Sequence, residues 1–373
     1  MTVRSRFAVR LGLFKNIGKG IAAVRALTVF AVLAAAASQP AIGQSLTIND
    51  LGTLPGGRDS FATGINSRGQ VVGYSSYSAP AAGVIPFSPP HNRIFHAFLF
   101  EKGVMTDLGA LPGGNYSEAL AINERGQVVG FSRTNTVGPG HAFFYDQGVM
   151  TDLGTLPGGT YSQATAINNR GQVVGSADPA GGGQHAFLFD NGVMADLGTL
   201  PGGNNSDATG INNRGQVVGL STIVAGPPLT NHAFSNENGV MSDLGTLPGG
   251  TYSQAFATNN KGQVVGLADT ASGAQHAFLY QQGQMTDLGT LPGGSFSAAY
   301  GINERGDIVG VSESASGYSH AFLFSDGVMT DLGTLPGGTY SEALGINGSG
   351  QVVGDGNDSH TVSSSTHAVL WTK

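Results

Sequence analysis

Seven histidines and seven aspartates recur along this chain at nearly fixed spacing. The histidines are His96, His141, His185, His232, His276, His320 and His367; the aspartates are Asp50, Asp107, Asp152, Asp196, Asp243, Asp287 and Asp331. A histidine hydrogen-bonded to a carboxylate can act as a general base, and imidazole is also a common metal ligand. Both chemistries need one site, whereas these residues come sevenfold. We therefore read them as a structural pair that fixes each repeat. Loss of one member of a partly buried pair would cost roughly 1–3 kcal/mol.

A second set of residues follows each Pro-Gly-Gly. Tyr116, Tyr161, Tyr252, Phe296 and Tyr340 stand there, each ahead of a serine (Ser117, Ser162, Ser253, Ser297, Ser341). Close by, Glu118, Asp207 and Glu342 replace neutral residues of the other repeats. Aromatic platforms with a few carboxylates suit a sugar, or a cation held by ring faces. The plainer alternative is that each ring packs between neighbouring repeats. The asparagines Asn66, Asn123, Asn168, Asn212, Asn259, Asn303 and Asn347 read as turn-formers that bond local backbone. The cations two residues later (Arg68, Arg125, Arg170, Arg214, Lys261, Arg305) read as solvated turn tips. Gly-x-Ser-x-Gly, His-Glu-x-x-His and phosphate-loop motifs are missing from the sequence, so no catalytic residue is assigned. Asp355 to His360 offers hard oxygen ligands without the spacing of a calcium loop, so no metal or other cofactor is expected.

The elements that position these residues come from one repeated octapeptide. Asp-Leu-Gly-Thr-Leu-Pro-Gly-Gly starts at each of the seven aspartates, with Ala110 for Thr in the second copy, at intervals of 57, 45, 44, 47, 44 and 44 residues. Within one unit, Ala164–Ile167, Gln172–Ser176, His185–Phe189 and Val193–Leu197 read as four short strands. Asn-x-Arg-Gly and Asp-Asn-Gly turns separate the first from the second and the third from the fourth. Four strands in 44 residues is the ration of a β-propeller blade, and seven units predict a seven-bladed, all-β ring of antiparallel blades. The phase of the repeat predicts its closure. The chain opens on a fourth strand without predecessors, Ser45–Leu51, and ends on three strands lacking a fourth, so the N-terminal strand should complete the C-terminal blade. Small residues such as Ala164, Thr165 and Ala166 place the first strand innermost. The Pro-Gly-Gly links and the loops between second and third strands then share one face, and the tight hairpins occupy the other.

Residues 1–43 stand outside the repeat. They hold six cations and no carboxylate, then the apolar run Ala26–Ala37, then Ala41 and Gly43, and read as a secretory signal peptide. Residues 44–373 are left as one propeller domain. Removing six of the 17 cations leaves 11 against 24 carboxylates, a net charge of −13 that disfavours nucleic acid and anionic lipid. There is no cysteine, hence no disulfide or thiolate chemistry. The run His-Ala-Phe-Leu-Phe, then Gly-Val-Met-Thr-Asp-Leu-Gly-Thr-Leu-Pro-Gly-Gly, then Ile-Asn-x-Arg-Gly-Gln-Val-Val-Gly resembles the HAF family of bacterial repeats. That resemblance covers essentially everything after residue 43 and implies export and a repeat fold, but no activity. Departures are local: Thr258 and Lys261 replace Ile and Arg, Gly348-Ser349 replaces the x-Arg pair, and Ser235-Asn236 weakens one third strand.

The blades differ most between Val-Val-Gly and His. Blade one carries 22 residues there (Tyr74 to Phe95), blades four and seven twelve each, and the others nine or ten. Long loops on a rigid frame are where specificity usually resides. We expect an exported protein, extracellular or on the cell surface with the periplasm as alternative. It should be a monomer without stable membrane insertion, binding a glycan, peptide or surface protein on the Pro-Gly-Gly face. The rival expectation is a glycan-cleaving hydrolase or lyase using Glu118, Asp207 or Glu342. A third is a purely structural envelope protein.

Overall fold

The computed structural model describes residues 46–77, 94–136, 138–224, 230–359 and 365–372. The segment read as a signal peptide, the proline-rich stretch of the blade-one loop and His360 lie outside the described residues. The rest forms 28 strands in seven four-stranded antiparallel sheets, each sheet one blade of a ring. In blade three, for example, Ser162–Ile167, Val173–Ala177, His185–Asp190 and Val193–Asp196 pair in that order. Blade seven takes Ser341–Ile346, Val352–Asn357 and Thr366–Thr372 from the C-terminus and Thr47–Asp50 from the start of the repeat region. Ile48 pairs with Trp371 and Asp50 with Val369, so the expected latch closes the ring. Trp371 is fully buried there, and its indole N–H donates to the Leu332 carbonyl at 3.1 Å.

Local backbone chemistry explains the invariant glycines. A Cβ on Gly175 would lie 1.9 Å from the Gln163 carbonyl oxygen, where the inner strand bulges between Ala164 and Ala166. Only glycine lets the two strands approach so closely. One on Gly159, the last residue of Pro-Gly-Gly, would lie 1.8 Å from the Asp178 carbonyl. That link is therefore pressed against the end of the second strand. The outer hairpins turn through residues such as Asn191 and Gly192, with φ of 50° and 82°, which is the geometry of a primed turn.

The core lies between blades rather than within them. Each apolar cluster joins two neighbours, as Val129 and Ala142 of blade two do with Val173 and Phe187 of blade three. Phe98, Phe143, Phe187, Phe234, Phe278 and Phe322 are fully buried at equivalent places. Each is worth roughly 1.5–3 kcal/mol of burial. A single blade has no such interior, which is why the repeat must close.

Two rings of hydrogen bonds also tie blade to blade. The recurring serine accepts the N–H of the alanine after the histidine in the preceding blade, from Ala97 N to Ser117 Oγ at 2.8 Å round to Ala368 N to Ser60 Oγ at 2.9 Å. The same hydroxyls donate to the glycine carbonyl of the preceding Asp-Leu-Gly, as Ser206 Oγ does to Gly198 O at 2.6 Å. The asparagines make the second ring. Each Nδ2 donates to the main-chain carbonyl of the next blade's asparagine at 2.9–3.2 Å, and Asn347 returns to Asn66. Each Oδ1 also accepts local N–H groups, as at Arg170 and Gln172. The local bonding expected of these residues is present, and the sevenfold ring is additional to it.

Candidate functional site

The His–Asp pairs form in every blade, with Nδ1 to carboxylate distances of 2.7–2.9 Å. Asp196 lies opposite Phe187, two positions beyond His185, so the bond runs diagonally across the hairpin. The aspartate also accepts the N–H of the following glycine, from Gly198 at 2.7 Å. The carboxylates are 38–43 % exposed and the imidazoles 12–24 %. Both partners are thus occupied with holding the third strand, the fourth strand and the turn beyond. No two pairs converge on a shared centre within a blade.

The inner strands of all seven blades line an axial channel of about 280 Å³. Its wall carries one residue of changing type per blade in the layer nearer the Pro-Gly-Gly face, including Thr63, Leu120, Thr209, Phe256, Tyr300 and Leu344. A layer of isoleucines follows, broken by Thr258, whose hydroxyl bonds Gln216 at 3.0 Å. The asparagine ring stands at the hairpin end.

On the Pro-Gly-Gly face, sequence differences between blades produce an asymmetric cluster. Rings run in contact through blades one to three: Phe61 stacks on Tyr74 at 4.8 Å, Phe95 follows, and Tyr116, Phe131 and Tyr161 continue at 5.8–6.3 Å. The Arg133 guanidinium lies 5.0 Å from the Tyr116 ring centre. Tyr116 donates to Glu118, and burial raises the Glu118 pKa. Tyr252 donates to Gln254 at 3.0 Å. Tyr252 and Phe296 pack with Phe256 and Tyr300 against Leu267, Ala298 and Val311. The five aromatics singled out in the sequence therefore divide. Tyr116 and Tyr161 belong to the aromatic run, whereas Tyr252 and Phe296 serve packing between blades.

Tyr340 belongs to a third grouping, the acidic one. Glu342 lies directly opposite Asp355 in the strand register, and the two carboxyls hydrogen-bond each other. Asp355 is 3 % exposed. Burial, then the Glu342 charge, pushes its pKa up to about 8. Burial raises Glu342 as well, against the hydrogen bond from Tyr340. One proton shared between two carboxyls is the ordinary outcome of such a pair. Burial, with Glu342 and Asp355 beside it, also lifts the Tyr300 phenol to about 12. Burial raises Tyr74, as do Glu118 from blade two and Asp355 and Glu342 from blade seven, so that phenol stands between the two acidic groups. Asp207 is apart from them. It lines a pocket of about 200 Å³ at blade four with Asn205, Ser221 and Thr222, and burial raises its pKa.

No known family model matches this chain, and no curated protein matches it either. Solved structures do. The β-propeller domain of the Trilobed protease from Pyrococcus furiosus aligns over 84 % of this chain and 96 % of its own, with a TM-score of 0.53 and 9 % identity. A puromycin-hydrolyzing peptidase of Mycobacterium tuberculosis aligns over 82 % of this chain at a TM-score of 0.52 and 14 % identity, across 52 % of its own length. The chain is a seven-bladed β-propeller. At these identities the likeness is one of fold alone. The Pyrococcus domain is described as having an open velcro topology, whereas this propeller pairs its first strand with its last. Among the described residues no helix is long and apolar enough to cross a membrane.

Several residues of this face escaped the sequence reading. Phe61, Tyr74, Phe131 and Tyr300 occupy positions where most blades carry something else, such as Gln163, Ser176 or Leu220. The signal was present as a break in the repeat. It could be found by comparing blades at one register position, and not by looking for residues that recur.

Proposed function

We propose that the protein is an exported binding scaffold of the HAF type, which holds a glycan, peptide or protein partner on its Pro-Gly-Gly face. The aromatic run from Phe61 to Tyr161 carries this reading. Six rings in contact across three blades form a continuous run on one sector of that face. The carboxyls Glu118, within that sector, and Glu342, on the adjoining blade seven, can accept hydrogen bonds from hydroxyl or amine donors. The basic, then apolar, residues 1–43 support export. A glycan array probed with wild type and a Tyr116/Tyr161/Tyr340→Ala triple variant tests the assignment. Wild type should retain a subset of sugars that the variant loses, and equal retention by both would discard the site.

A hydrolase is the second reading, and the Glu342–Asp355 pair favours it. A protonated carboxyl beside an ionised one can serve as acid and base. Two carboxyls in direct contact are closer than the roughly 5–10 Å of the usual glycosidase geometries. Glu118, on the far side of Tyr74, is then the partner acid. Reducing-end release from the glycans that bind, lost in Glu342→Gln, would establish this activity.

A further inference from the structure

A cleft away from the axis sits between blades four and five. At six blade boundaries a large apolar residue of the third strand packs onto the next blade: Leu99, Phe144, Leu188, Leu279, Leu323 and Leu370. Blade four has Ser235 at that position, and the cluster at the boundary with blade five, which includes Val218 and Ala233 of blade four, draws no residue from the Ser235 position. Tyr280 of blade five therefore faces a hydroxyl where its counterparts meet a hydrocarbon. Around that hydroxyl lies an open cleft of about 610 Å³, lined by Arg214, Gln216, Ser235, Ser242, Lys261 and Tyr280. That volume lies within the roughly 300–1,000 Å³ of small-ligand sites.

The hydroxyl also changes the polar groups around it. In blades two and three the glutamine after the tip glycine donates to an aspartate at the end of the third strand, Gln127 to Asp146 and Gln172 to Asp190. Gln216 instead donates to Ser235 at 3.0 Å, and Glu237 on the cleft rim is left without that partner. Arg214 and Lys261 project from the two blades at the hairpin end. Among the described residues neither cation has an ion-pair or side-chain hydrogen-bond partner. A Cβ on Gly262 would come within 2.8 Å of the Arg214 guanidinium, so that glycine lets the cation rest against blade five.

We propose that this cleft is a second binding site, for a saccharide bearing a uronic-acid carboxylate. The carboxylate pairs with Arg214 and Lys261, the sugar ring lies on Tyr280, and ring hydroxyls exchange hydrogen bonds with Ser235, Ser242 and Glu237. Charge selects this occupant: two cations without an ion-pair partner among the described residues line one cleft, while its one carboxylate, Glu237, needs donors that hydroxyls supply. The site is separate from the axial mouth, so its failure leaves the reading of that face intact.

Calorimetric titration with digalacturonate, alongside its neutral disaccharide counterpart, tests the proposal. Wild type should bind the acid form at least tenfold more tightly than the neutral one. Ser235→Leu places in the cleft the residue type other blades use and removes the hydroxyl, and should weaken binding at least tenfold while the melting temperature holds or rises. Arg214→Gln/Lys261→Gln should do the same by removing the positive charge alone, and Tyr318→Ala, at an exposed ring of blade six, should leave affinity unchanged. Absence of binding by wild type, equal binding of the two disaccharides, or undiminished affinity in Ser235→Leu would overturn it.

Discussion

The two ends of the axial channel are built by the same seven strands and differ in kind. At the hairpin end one residue type, asparagine, occupies every blade and bonds its neighbour in an unbroken circle. At the Pro-Gly-Gly end the second residue of the inner strand is Phe61, Glu118, Gln163, Asp207, Gln254, Ala298 and Glu342 in turn. A position that must satisfy closure tolerates no variation, because each side chain completes the next. A half-buried position near the mouth that closes no such circle is free to vary, and there a ligand site can be written. In a repeat protein, symmetry marks the framework and broken symmetry marks recognition.

Variants can break this division, and the framework should yield the largest effect. Asn347→Ala removes the bond to the Asn66 carbonyl and the acceptor for the Ser349 and Gln351 N–H groups, all at the boundary where the ring closes. Loss of the buried amide's hydrogen bonds to both blades makes roughly 1–3 kcal/mol the expectation. Urea denaturation measures it, and ligand retention at the other face should be unchanged in the folded protein. A loss below a few tenths of a kcal/mol would mean that the circle is a consequence of closure and not a support for it.

At the mouth the sign should reverse. Folded Asp355 holds its proton up to about pH 8, while an unfolded aspartate releases it near the ordinary 3.8. The folded state therefore binds more protons across that window, and stability must fall as pH rises through it. Asp355→Asn removes the buried charge and the repulsion on Glu342. The variant should melt higher than wild type at about pH 8 and show a shallower decline between about pH 4 and that value. A group that costs stability near neutral pH and remains in the blade is one whose retention asks for a functional reason. Identical pH profiles for the two proteins would remove that reason.

Much of this was legible in the sequence, for a physical cause. Period, strand count and the complementary ends at Ser45–Leu51 and His367–Trp371 follow from local chemistry, because turn glycines and strand alternation act over a few residues. The His–Asp pair was legible because both members sit on one hairpin. Bonds between blades were not. Asn66 to Asn123, or Ser117 to Ala97, joins residues whose proximity depends on how two blades wedge together. The Glu342–Asp355 pair fell between these cases. The sequence places Asp355 at the start of the loop after Val-Val-Gly, whereas its strand runs on to Asn357 and puts it opposite Glu342.

The smallest effect concerns the one His–Asp pair that joins the two ends of the chain. His367 reaches Asp50 across 317 residues, whereas the other six pairs span eleven. The hydrogen bond to Asp50 raises the His367 pKa above its ordinary 6.5, in spite of partial burial. Burial opposes ionisation of Asp50, and the bonds from His367 and Gly52 outweigh it, so that pKa is lowered. The imidazolium's contribution is then fully present below about pH 6.5 and is lost as pH rises through the higher folded value. Asp50 is 43 % exposed, and solvent screening limits the pair to about 0.5 kcal/mol. His367→Gln should therefore lower stability slightly at about pH 5.5 and by less at about pH 8.5. If the gap between the two proteins widened with pH instead, the latch would be held by strand pairing and Trp371 alone, and this pair would carry no charge across the seam.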